Sequence, residues 1–154
     1  APTSKRNQTM NGTNKQHFPD ILNPFAALIQ SGIEIRSALA DACQQLELAL
    51  ENEAAKRRTA RELRQMYDEA EAEFLAEATF NANGSNAEKR KAEVDAALVK
   101  ARQSGKLARL WAQATAAAYD ADDAKAALEQ AAKRFRATEA AADLTAAMLR
   151  AAMG

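Results

Sequence analysis

Leu107–Met153 reads LARLWAQATAAAYDADDAKAALEQAAKRFRATEAAADLTAAMLRAAM, with no Gly, no Pro and about twenty Ala. Ala has the highest helix propensity and Gly and Pro the lowest, so this stretch is read as one uninterrupted helix. Leu107, Ala114, Ala121, Leu128, Phe135, Ala142 and Leu149 recur every seven residues. A sevenfold repeat draws a narrow seam along one side of a helix, and small residues on it let a second helix approach closely.

A partner for that seam lies earlier in the chain. From about Glu34 to Phe80, the positions Ile35, Leu39, Ala42, Leu46, Ala49, Glu53, Lys56, Ala60, Leu63, Tyr67, Ala70 and Phe74 step by three and four, with a polar break at Glu53 and Lys56. Asn81-Ala82-Asn83-Gly84 is a helix stop, and Ser85 with Glu88 three residues later reads as a capping box. The helix it opens reaches about Gln103, carrying Val94, Leu98 and Ala101 on one face. Ser104-Gly105 then either breaks the chain into two helices or only kinks one. No segment alternates as a strand does.

The expected fold is all-α: a long antiparallel helical hairpin with a short third helix near its tip. Residues 1–20 are polar and are read as a flexible arm; 21–33 read as a short apolar helix, with Asn23 capping Pro24 and Gly32 weakening its end; 34–154 form the hairpin. Centring the turn between Asn81 and Gly105 sets Phe74 against Trp111 or Ala112 and Tyr67 against Tyr119. The same register puts Arg61 and Arg64 near Asp122 and Asp123, and Glu51 and Glu53 near Lys133, Arg134 and Arg136. The acidic run Asp68 to Glu77 and the basic Lys89-Arg90-Lys91 each oppose their helix dipole, which facing one another across Gly84 would relieve.

Composition narrows the function. The chain has 154 residues, with 21 basic and 21 acidic side chains and zero net charge. That balance argues against a protein dedicated to wrapping duplex DNA and against an acidic DNA mimic. Cys43 is the only cysteine, so no intrachain disulfide forms, and its helical neighbours point to a buried thiol. No signal-peptide pattern and no apolar run of spanning length occur, so no membrane role is expected.

The inventory for catalysis is thin. His17, the only histidine, lies in the arm, no Glu-x-x-His pair exists, and Gly84 and Gly105 are isolated rather than part of a phosphate loop. No enzyme activity, cofactor, metal or small-molecule substrate is expected. Basic clusters are the one charged motif: Arg57, Arg61 and Arg64 share a helix face, and Lys89, Arg90 and Lys91 follow the turn. Such stripes can follow backbone phosphates, or serve as half of an internal charge pairing. Trp111, Tyr67 and Tyr119 lie on or beside the seams and read as core rather than stacking platforms.

Gly84-Ser85-Asn86-Ala87-Glu88-Lys89-Arg90-Lys91-Ala92, with Tyr67 and the Glu/Ala-rich segment before it and the Ala-rich helix after it, resembles small helical proteins of tailed bacteriophages. The resemblance covers about Arg61 to Leu149. It implies a phage or prophage protein, accessory to DNA replication or recombination and working in the cytoplasm of a bacterial host. It brings no site residues with it.

The expected function is therefore a non-enzymatic helical interaction protein: an adaptor, scaffold or inhibitor, acting as a homo-oligomer with a dimer favoured, or on another protein. Phe18, Ile21, Leu22, Phe25, Leu28 and Ile29 are the expected contact. The alternatives are nucleic-acid binding through Arg57, Arg61, Arg64, Lys89, Arg90 and Lys91, and a structural or assembly role in a virion.

Overall fold

The computed structural model describes residues 23–154. All its regular structure is helical: α1 (Asn23–Asn81), α2 (Ala87–Gln103) and α3 (Lys106–Met153). At 59 residues α1 is about 88 Å long, and α3, with 48, is about 72 Å. Both α2 and α3 run antiparallel to α1. Arg102 of α2 meets Tyr67 and Glu71, and on α3 Trp111 meets Tyr67 while Arg134 meets Gln45. The hairpin thus has one long arm, and a second arm made of two helices in series.

The seams pair as their spacing predicts. Ala42, Tyr67, Leu107, Leu110, Ala114, Ala117 and Ala124 are buried, and most remaining seam positions are half-buried. Lys56 is the exception. It sits at a seam position but is exposed, in a groove it shares with Asp120 and Asp123. An ammonium cannot be buried unpaired, so its long stem carries the charge out to water. Glu53 is buried on the seam, and its carboxylate is held by Arg57 one turn on in the same helix.

Register differs from expectation. Tyr67 packs on Trp111, at 5.0 Å between ring centroids, rather than on Tyr119, a slip of eight residues or about two turns. The cause lies in α2. It is laid along the last turns of α1 instead of filling the turn, so α1 overhangs the start of α3. The expected ion pairs across the hairpin fail with the register. Arg64 pairs with Asp68, Glu53 with Arg57, and Arg134 donates to Gln45 at 3.3 Å. Arg64 and Asp122 do line one groove.

No boundary occurs at Gly32: α1 runs through it, so residues 23–33 belong to the hairpin. A lone glycine costs a helix interior only about 1 kcal/mol, less than seam packing on both sides returns. A Cβ at Gly32 would lie 3.5 Å from Leu149 Cδ1 and 3.9 Å from Thr145 Cγ2, which is ordinary contact. Gly32→Ala is therefore expected to stabilise the protein by about 0.5–1 kcal/mol, read as a higher midpoint in urea.

Two turns shape the tip. The α2 cap is Asn86 rather than Ser85: its side chain accepts from Lys89 N at 2.8 Å, the third amide of the helix. Asn83 N donates to Glu93 Oε2 at 2.9 Å, and Arg90 reaches the Gly84 carbonyl at 3.4 Å. Among the described residues the acidic run and Lys89–Lys91 form no ion pair across Gly84. The open question at Ser104-Gly105 resolves as a break. Ser104 is extended, and Gly105 adopts φ 89° and ψ −156°, a conformation that only glycine takes without strain.

Candidate functional site

Tyr67 is where the three helices meet. It is 1% exposed and forms a core with Leu107 and Leu110, flanked by Ala70, Leu98 and Ala101. Its hydroxyl accepts from Arg102 Nε at 3.1 Å, and Arg102 also pairs with Glu71. The Arg64 guanidinium lies 5.5 Å from the Tyr67 ring centroid and 5.6 Å from that of Trp111. Cation–π attraction explains why an arginine stays over this aromatic pair while also pairing with Asp68.

Burial raises the Tyr67 phenol above its ordinary pKa of 10.0, and the Glu71 carboxylate adds to this while Arg102 opposes it. The hydrogen bond to Tyr67, then that to Glu71, holds the Arg102 guanidinium above its usual value. A raised folded-state pKa on an acid favours folding while the group is protonated. That stability is complete below about pH 10 and is lost as pH rises through the folded value. Urea midpoints should therefore fall above pH 10, and fall less steeply in Tyr67→Phe.

The constellation holds no nucleophile–base pair, and among the described residues no group of three His, Cys, Asp or Glu could hold a metal. What the site offers is surface. Arg57, Arg61 and Arg64 line one open groove on α1 with Ala60, Gln65 and Asp68. Two of the three arginines are already paired within α1. Lys89, Arg90 and Lys91 are exposed but sit at the tip, about 30 Å from Arg61 along the helix. The two basic clusters do not merge into one patch.

The apolar contact residues are split as well. Phe18, Ile21 and Leu22 lie outside the described residues. Phe25 and Leu28 are half-buried and continue the α1 seam below Gly32, so their first role is within the hairpin. Ile29 is exposed on the flank.

Three residues differ from their sequence reading. Tyr119 is 68% exposed and Trp111 is only partly covered, because the register slip leaves Tyr67 as the one tyrosine in the core. Cys43 is exposed, because it lies one position past buried Ala42 and so outside the seam. No spacing rule links Arg102 to Tyr67, 35 residues away, so the sequence does not mark it.

Compared with known proteins, the chain matches no family, no curated protein and no solved structure.

Proposed function

We propose that the chain is a non-enzymatic helical interaction protein that works as a homo-oligomer. One observation carries this reading. Among the described residues, twelve large apolar side chains are exposed, including Ile33, Leu48, Leu50, Phe80, Val99 and Leu144, whereas seven apolar residues are buried. A two-helix layer buries only one stripe of each helix, so the remaining apolar stripes are available to another helix. Helix-on-helix recognition needs only such stripes and no catalytic chemistry.

A second reading, nucleic-acid binding, is supported by the Arg57, Arg61 and Arg64 face with Trp111 beside it. The internal pairing of Arg57 and Arg64 weighs against it. Light scattering separates the two, run with and without a short single-stranded DNA at low and moderate salt. A stable oligomer indifferent to DNA supports the first reading. A DNA complex that weakens steeply with salt replaces it with the second, since phosphate contacts release counterions. A monomer that ignores DNA refutes both.

A further inference from the structure

α1 carries a second stripe with coiled-coil spacing, on the flank its seam leaves open. Ile29, Ile33, Arg36, Ala40, Cys43, Glu47, Leu50 and Ala54 step by four and three without interruption, and every one is exposed. Ile29 is 42%, Ile33 60% and Leu50 50% exposed. This is the pattern of a helix seam with nothing packed on it. Arg36 and Glu47 stand inside the stripe, and among the described residues neither forms an ion pair.

The stripe is complementary to itself when reversed. Laid antiparallel on a second copy, Ile29 meets Ala54, Ile33 meets Leu50, Arg36 meets Glu47 and Ala40 meets Cys43. Every apolar residue meets an apolar one and the two charges meet as opposites. A two-fold axis requires this reciprocity, since residue i touching j implies j touching i. Sliding by one heptad either way destroys it: Ile29 then meets Glu47, or Ile33 meets Arg57. The small pair Ala40 and Cys43 falls beside the axis, where it lets the helices approach closely.

We infer that two copies of this chain associate through this stripe, α1 against α1 in antiparallel, with Arg36 of each copy paired to Glu47 of the other. The inference rests on the interaction-protein reading and names its partner and contact. The stripe is about 38 Å long and one helix about 10 Å wide, so α1 contributes about 380 Å² per copy, the size of a weak, reversible interface.

The test is a charge exchange read by sedimentation equilibrium on the full chain, with helical content checked by circular dichroism. Arg36→Glu and Glu47→Arg are each expected to weaken the dimer about tenfold or more by setting like charges opposite one another. The double variant Arg36→Glu/Glu47→Arg is expected to recover to within about threefold of the unaltered chain, because the pair re-forms reversed. The two positions are eleven residues apart on one helix and do not meet within a chain, so recovery can only come across copies. Ile33→Asp, at an exposed position, is expected to yield a folded monomer. An oligomer that survives all four variants overturns this contact and its register while leaving the association itself standing. Single variants that weaken the dimer without recovery in the double overturn the antiparallel pairing. An unaltered chain that is monomeric at every concentration overturns this inference and the homo-oligomer reading together.

Discussion

Tyr67→Ala is expected to cost the protein about 3–5 kcal/mol, the range for deleting a large buried aromatic side chain. Tyr67 ties the three helices together. Its ring faces Trp111 on α3, its hydroxyl holds Arg102 on α2, and Leu107 and Leu110 close over it. Removing the ring leaves a cavity that Ala70 and Ala101 are too short to fill. The α2 helix has no fully buried residue of its own, so it should loosen first. Hydrogen exchange should show α2 losing protection more than the lower half of the α1–α3 seam, alongside a large fall in urea midpoint. If midpoint and protection stay near those of the unaltered protein, Tyr67 does not hold the three helices together. The alkaline fall expected of the native chain should be shallower without the phenol, so the same variant checks that assignment too.

Gly84→Ala is the second large effect expected, at about 1–3 kcal/mol. A Cβ there would fall 2.6 Å from Arg90 N and 2.8 Å from both the Lys89 carbonyl carbon and its Cβ. The first two are backbone atoms of the opening turn of α2 and cannot rotate aside. The tip must open, which breaks the Asn83–Glu93 hydrogen bond and tilts the Asn86 cap. The loss should localise: exchange protection falls in residues 81–95, while the Tyr67 core keeps its near-ultraviolet signal. Wild-type protection across the tip would show that the loop accommodates the methyl group.

The seams were the legible part of this fold. Leu39, Ala42, Leu46 and Ala49 on α1, and Leu128, Phe135 and Leu149 on α3, could be placed because a helix repeats its faces every three to four residues and burial follows the repeat. Register was not legible, because an Ala-rich seam matches itself almost equally well after a slide of one or two turns. The few bulky residues decide it, and Tyr67 has two aromatic choices eight positions apart, Trp111 and Tyr119. Only the path of α2 separates them, and that path depends on the Gly105 backbone. The Ser85–Glu88 pair imitates a capping box while Asn86 makes the cap, since both offer a side-chain oxygen one residue apart. Cys43 was misjudged because it is apolar but one position off the seam, whereas Lys56, read as a polar break, is exposed as its charge requires. The exposed stripe from Ile29 to Ala54 was present in the sequence as a second heptad, hidden beside the stronger one.

Gly32 lies beside Leu149 and Thr145, so Asn23 and Met153 emerge at the same pole, with the Gly84 turn at the far one. This geometry determines how the molecule bears a load. Tension applied between those two ends acts across the seam rather than along it and peels α3 from α1 one turn at a time, starting at Leu149. Each step breaks only a few small contacts, so the rod yields at low force. Load applied between one end and the tip runs along the axis of α1 and is shared by every turn at once. The same molecule is a zipper when pulled at its pole and a strut when pulled along its length.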